Sequence, residues 1–244
     1  MSLRVVYDTP TIVKLFLTLS LLLLLNFKVD AQWSGLSIKQ TLPTDGEVRM
    51  VYPANINNDA FVDLITLPIA DFTEIRLYAG TEQVEFDQYT SIEKSDNYRV
   101  LDVGDLNADG IDDLIISGYW TNGFKVFWSR PSGAYIESQH YQLTGHGKNI
   151  KAVDINKDGA LDIAALSGGS GQPITLHLFY GNKNEELTSG GIYPSPIHTD
   201  KAITIVDKNQ DGLLDIMVST SFPGFVIFYQ QENRSFLPRT WPQI

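Results

Sequence analysis

An acidic stretch of nine residues occurs four times in this 244-residue chain, and its spacing constrains the fold more than any other feature. The copies are Asn55 to Asp63, Asp105 to Asp113, Asp154 to Asp162 and Asp207 to Asp215, with starts separated by 50, 49 and 53 residues. A fixed period of this size marks stacked supersecondary units, none of which can bury its apolar face alone. The four stretches are called the first to fourth loops below.

Their composition points to a hard cation. Calcium takes oxygen ligands in flexible geometry, and carboxylates, Asn carbonyls and a main-chain carbonyl can supply them from alternate positions of one short loop. In the second loop these positions are Asp105, Asn107, Asp109, the carbonyl of Ile111 and Asp113; in the third, Asp154, Asn156, Asp158, the carbonyl of Ala160 and Asp162. The fourth offers Asp207, Asn209, Asp211, the carbonyl of Leu213 and Asp215. Gly110, Gly159 and Gly212 stand sixth, where the chain must turn sharply and glycine does so without steric cost. The first loop is a poorer set: Asn55, Asn57, Asp59, the carbonyl of Phe61 and Asp63 bring two carboxylates, and Ala60 replaces the glycine.

Asp, Asn and Gly also make turns for purely local reasons. Three full copies and one degraded copy on a single period favour ion binding over that simpler account. The loop is not an EF-hand, which has twelve residues, a closing Glu and flanking helices. Here strand-like runs follow the closing acid: Leu64 to Leu67, Leu114 to Ser117, Ile163 to Leu166 and Ile216 to Ser219. Apolar runs such as Tyr98 to Val103 and Ile203 to Val206 precede the loops, so each loop joins two buried strands. Third strands are expected at Glu74 to Tyr78, Lys125 to Trp128, Thr175 to Tyr180 and Phe225 to Tyr229. More polar fourth strands are expected at Glu85 to Tyr89, Tyr135 to Tyr141, Glu186 to Thr188 and Ser235 to Thr240.

On these residues the chain resembles the FG-GAP or VCBS repeat family, the repeats of integrin-alpha-type β-propellers. The family motif D-x-[DN]-x-D-G-x-x-D is met in full by the loops that begin at Asp105, Asp154 and Asp207. The resemblance implies an all-β, β-propeller-like array of four four-stranded blades, with structural calcium in the loop between a blade's first two strands. It implies adhesion or ligand binding more often than catalysis. Repeats are expected near residues 48–95, 96–145, 146–198 and 199–244 of one domain, 32–244. Leu36 to Leu42 reads as one extra N-terminal strand. Four blades leave two open sheet edges, so the array is expected to be part of a longer, about seven-bladed propeller. A small closed ring is the alternative.

The first 31 residues carry Arg4 and Lys14, an apolar run from Leu15 to Leu25, and small Ala31 before Gln32, the pattern of a cleaved signal peptide. That run is shorter than the ~20 residues that span a bilayer. The mature chain is therefore expected to be secreted or surface-exposed, extracellular or periplasmic, without a membrane span. No cysteine is present, so calcium replaces disulfides as the available staple. The net charge is −11, and twelve of the 29 acids lie in the loops. An acidic chain without a Lys/Arg stripe has nothing to meet phosphates, which argues against nucleic acid.

No catalytic constellation emerges. The four histidines lack metal-ligand spacing, Gly168 to Gly171 lacks the last glycine of a nucleophile elbow, and Gly145 to Lys148 is too short for a phosphate loop. The chain reads as a binder of an extracellular carbohydrate or protein, not an enzyme; an accessory domain of a polysaccharide-active enzyme is the alternative. The loops joining second to third strands form the face opposite the acidic loops. There Phe72, Tyr119, Trp120, Asn122, Gln172 and Phe222 combine rings with amides, the mixture that holds a sugar or a peptide. Packing of those rings between blades is the competing account.

Overall fold

The computed structural model describes residues 48–68, 74–82, 86, 88–93, 98–118, 121–168, 172–196, 202–219 and 224–241. The signal segment, the expected strand at Leu36 to Leu42, and Phe72, Tyr119, Trp120 and Phe222 lie outside them. The described elements are all strands, and no helix among them is long and apolar enough to cross a membrane.

Four antiparallel sheets follow one another along the chain, all within the unit Leu42–Ile244. The first is β1 (Val48–Ala54), β2 (Asp63–Pro68), β3 (Glu74–Tyr78) and β4 (Thr90–Glu93). The second is β5 (Tyr98–Gly104), β6 (Asp113–Gly118), β7 (Gly123–Ser129) and β8 (Tyr135–Glu137), with β9 (Tyr141–Gln142) also paired to β7. The third is β10 (Gly147–Val153), β11 (Asp162–Ser167), β12 (Thr175–Tyr180) and β13 (Thr188–Pro194). The fourth is β14 (Ala202–Val206), β15 (Asp215–Ser219), β16 (Phe225–Gln230) and β17 (Phe236–Trp241). Strand order equals chain order in every sheet, so each acidic loop is the connection between a sheet's first two strands.

The sheets stack face to face. Residues one and three after the closing acid pack backwards and residue two packs forwards, because side chains alternate across a strand. Ile65 and Leu67 meet Leu114 and Ile116 between the first and second sheets. Ile115, Phe124, Val126 and Trp128 meet Ile163 and Ala165 between the second and third. Ala164, Leu166, Leu176 and Leu178 meet Ile216, Val218, Val226 and Phe228 between the third and fourth. The third sheet is thus covered on both faces, which is why β11 is buried throughout and reads as an unbroken apolar run. Burying one such Leu or Ile contributes about 1.5–3 kcal/mol. First strands also touch in succession, β1 to β5 to β10 to β14, and among the described residues no comparable contact joins β14 back to β1.

The outer strands depart from the sequence reading. The first sheet's fourth strand is Thr90–Glu93, beyond the expected Glu85 to Tyr89, and the third sheet's is Thr188–Pro194, beyond Glu186 to Thr188. The expected Tyr135 to Tyr141 is two short strands, interrupted where Ser138 donates its N–H to the carbonyl of Val126 and accepts the N–H of Val126 on its hydroxyl oxygen. These strands bury little, so no apolar period marks their bounds. In β13 the signal is weakened further by Gly190 and Gly191, which lie against Tyr180 and Tyr193, where a Cβ would sit 2.8 Å from a ring atom of Tyr180 and 2.6 Å from the hydroxyl oxygen of Tyr193.

Candidate functional site

The second, third and fourth loops share one set of internal hydrogen bonds. In the third, Asp154 Oδ1 and Asn156 Oδ1 both accept the N–H of Asp158, at 3.0 and 2.9 Å. Asp154 Oδ2 accepts Gly159 N–H at 3.0 Å, Asn156 Nδ2 donates to Asp158 Oδ2 at 2.8 Å, and Asp158 Oδ1 accepts Ala160 N–H at 2.9 Å. Asp105, Asn107, Asp109 and Ile111 repeat this pattern, and so do Asp207, Asn209, Asp211 and Leu213. The backbone explains it. The sixth-position glycines hold φ of 88, 88 and 87°, and Ala108, Lys157 and Gln210 at the fourth position are also left-handed. Two left-handed residues around the fifth wind the chain so that side-chain oxygens one, three and five turn onto the same short stretch.

The closing acids carry a duty the sequence did not reveal. Asp63, Asp113, Asp162 and Asp215 are fully buried, and each has both carboxylate oxygens on main-chain N–H groups. One oxygen takes the N–H of the loop's own second residue: Ile56 at 2.7 Å, Leu106 at 3.0 Å, Ile155 at 3.0 Å and Lys208 at 2.9 Å. The other takes an N–H from the end of the sheet's third strand: Gly80 at 2.7 Å, Ser129 at 2.8 Å, Gly181 at 3.0 Å and Gln230 at 3.0 Å. Gly80 and Gly181 are required by close approach, since a Cβ would stand 2.1 and 2.0 Å from the carbonyl oxygens of Val62 and Leu161. Burial pushes the carboxyls of Asp113 and Asp162 up to about 6 despite these bonds, and raises Asp63 and Asp112 as well. A second-row cue was available in the sequence, because Tyr78-Ala79-Gly80 and Tyr180-Gly181 recur at similar distances after their closing acids.

The first loop is built differently. Asn57 and Asp59 keep their mutual bonds, but Ala60 is not left-handed, and Asn55 Oδ1 accepts from Asn58 instead of the fifth residue. Among the described residues no three His, Cys, Asp or Glu side chains gather as a metal cluster. Each full loop offers three carboxylates, that of the buried closing acid among them, an amide oxygen and a main-chain carbonyl, all hard donors with lone pairs beyond those given to N–H groups. That donor chemistry fits calcium. Of the candidate ligand residues on the other face, Asn122 and Gln172 are exposed, just before β7 and β12.

Residues 105–165 and 154–218 each match the FG-GAP-like repeat. FG-GAP-like repeats are thus detected twice, between residues 105 and 218. The chain is 26% identical over 161 residues to a T-cell immunomodulatory protein homolog of Plasmodium falciparum (isolate 3D7), covering 56% of this chain and 22% of that protein. Its fold is similar, with a TM-score of 0.50 and 14% identity, to a solved Agrocybe aegerita lectin described as recognising non-reducing terminal N-acetylglucosamine. That likeness covers 77% of this chain and 50% of the lectin chain. The matched repeats begin on the acids Asp105 and Asp154, so the family signal and the loop geometry coincide.

Away from the loops lies a polar cluster that the sequence reading missed. His177, 2% exposed, has Nε2 at 2.9 Å from Ser167 Oγ and 3.0 Å from Thr144 Oγ1. The N–H of Thr144 points to the same nitrogen at 3.4 Å, which makes Nε2 the acceptor and leaves the proton on Nδ1. Burial lowers this imidazole to about 4.

Proposed function

We propose that this chain is a calcium-stabilised binding module, secreted or held at a cell surface, that takes an extracellular carbohydrate or protein in an adhesive role. The observation that carries the calcium reading is the recurrence of one oxygen arrangement in three loops, each in the same place of its sheet. Asp105, Asn107, Asp109, the Ile111 carbonyl and Asp113 would hold one ion. Asp154, Asn156, Asp158, the Ala160 carbonyl and Asp162 would hold a second, and Asp207, Asn209, Asp211, the Leu213 carbonyl and Asp215 a third. The bound ion would relieve repulsion among carboxylates drawn onto one turn. Binding only to the native state, it adds about 2.7 kcal/mol at a hundred times its dissociation constant.

The ligand face of this reading is the one opposite the loops, to which the order of strands and turns in the sequence assigns Phe72, Tyr119, Trp120, Asn122, Gln172 and Phe222. Support for a carbohydrate comes from the fold shared with a lectin. The leader-like first 31 residues support export. The test is a glycan array probed with the calcium-loaded chain, with glycans ending in N-acetylglucosamine as the first probe and Trp120→Ala as control. Saturable binding lost in Trp120→Ala is expected, with the bound glycan recovered intact. Binding that survives Trp120→Ala, or a cleaved glycan, overturns the assignment of face or of class.

A further inference from the structure

We infer that the first loop is a bracket for the second: Asn55 positions the turn that presents the Ile111 carbonyl, so calcium affinity of the second loop is set partly from the neighbouring sheet. This rests on the calcium reading of the second loop. Asn55 occupies the place where the other loops have an Asp, and it does not fold back on its own fifth and sixth residues. Its N–H donates to Asp112 Oδ2 at 2.7 Å, and its carbonyl accepts the N–H of Asp112 at 2.8 Å. Its side-chain Nδ2 donates to the carbonyl of Gly110 at 2.8 Å. Gly110 and Asp112 flank Ile111, so both peptides beside the candidate ligand carbonyl are tied to one residue of the preceding sheet.

The second partner is equally specific. The eighth position is Val62, Leu161 and Leu214 in the other loops and an acid only at Asp112. The third and fourth loops carry a parallel link: Lys157 Nζ donates to the carbonyl of Gly212, the same sixth-position carbonyl that Asn55 holds in the second loop. A donor from the preceding loop on that carbonyl therefore occurs twice, once from an amide and once from an ammonium.

Calorimetric calcium titration of the full chain tests this with five variants: Asn55→Ala, Asn55→Asp, Asp112→Asn, Asp59→Ala and Asp109→Ala. Asp109→Ala should remove one binding equivalent and so identify the second loop's site. Asn55→Ala should keep that equivalent but weaken it about tenfold, leaving the other sites and the melting temperature in chelator unchanged. Asp112→Asn preserves volume and an acceptor and should weaken the same site by less. Asp59→Ala should change none of them. Asn55→Asp is decisive, since it cannot donate to Gly110: the bracket predicts a weaker second site, whereas a merely degraded calcium loop predicts an added or tighter first one. Unchanged affinities in Asn55→Ala and Asp112→Asn, or a gain in Asn55→Asp, overturn the bracket. A wild-type chain that takes up no calcium removes the calcium reading and the bracket with it.

Discussion

One strand, β11, runs from Asp162 to Ser167, and its two ends keep a buried ionisable group in opposite ways. At the loop end, Asp162 is held by the main-chain N–H groups of Ile155, Asn156 and Gly181. At the far end, His177 is held by the hydroxyls of Ser167 and Thr144. The main-chain solution recurs in all four sheets because every sheet must tie its first loop to the end of its third strand. The hydroxyl solution is seen once among the described residues; at the equivalent place of the first sheet, buried Arg76 pairs with Glu74 instead. Across from the third residue after the closing acid stand Arg76, Lys125, His177 and Val226 in the four sheets. A requirement of the backbone writes a period into the sequence; a requirement met between side chains is free to vary from sheet to sheet.

Deleting the acid should therefore be the most damaging change at either end. Asp162→Ala strands buried N–H groups, each costing about 1–3 kcal/mol when unpaired, and should destabilise by roughly 3 kcal/mol or more in urea unfolding with chelator present. Asp63→Ala should lose a similar amount although its loop lacks the glycine, because the bonds to Ile56 and Gly80 are the same. His177→Leu should cost only about 1 kcal/mol, since Ser167 and Thr144 lie 3.3 Å apart and can pair with each other. Equal losses for Asp162→Ala and His177→Leu would erase the distinction between the two ends.

Acid separates them next, with opposite signs. The folded pKa of His177, about 4, lies below its ordinary value of 6.5, so its contribution is present above 6.5 and lost as pH falls towards 4. The full span is worth roughly 3 kcal/mol. Asp162 lies above its ordinary value, at about 6, so in metal-free protein its contribution is present at low pH and is lost as pH rises through about 6. Subtracting the stability profile of His177→Leu from that of the wild type isolates the imidazole. A flat difference between pH 4 and 6.5 would show that His177 is not held neutral by burial.

This contrast also explains what the sequence disclosed. The acidic loops, the second and third strands and their stacking were legible because every copy repeats them and inner strands are apolar on both faces. The outer strands were placed wrongly at β4 and β13, whose residues have water on one side and little pattern to follow. Spacing alone put side-chain oxygens one, three and five on one short stretch, and in the second, third and fourth loops they turn onto the same backbone N–H groups. The clamp made by the closing acids was harder to see, because its partners Gly80, Ser129, Gly181 and Gln230 lie 15 to 19 residues away and only two of the four share a residue type. Asn55 looked like a weakened ligand, and only its contact with Asp112 of the second loop shows that the two belong together.

Calcium should then sharpen the comparison without touching the far end. Hydrogen exchange of the amides of Asp158, Gly159 and Ala160 should slow several-fold on calcium addition, while those of Thr144 and Gly168 keep their chelator rates. The ion's effect on an amide falls off with distance as local opening becomes independent of the loop. Equal protection at both ends would mean that calcium acts only through global stability.

The smallest effects come from two glycines near the same strand. Gly159 sits in open space with φ of 88°, so Gly159→Ala meets no atom and pays only for a left-handed backbone, about 1–2 kcal/mol. Gly168 has an ordinary φ, and a Cβ there would stand 2.8 Å from Ile174 Cδ1, the movable tip of a side chain. Gly168→Ala should cost under about 1 kcal/mol as that tip shifts. Asparagine tells the two causes apart. It tolerates the left-handed region better than alanine, so Gly159→Asn should be milder than Gly159→Ala, whereas the larger side chain should make Gly168→Asn worse than Gly168→Ala. If both glycines rank the two substitutions alike in urea unfolding, the loop end is limited by space and not by backbone conformation, and the difference between the two ends of β11 loses its physical basis.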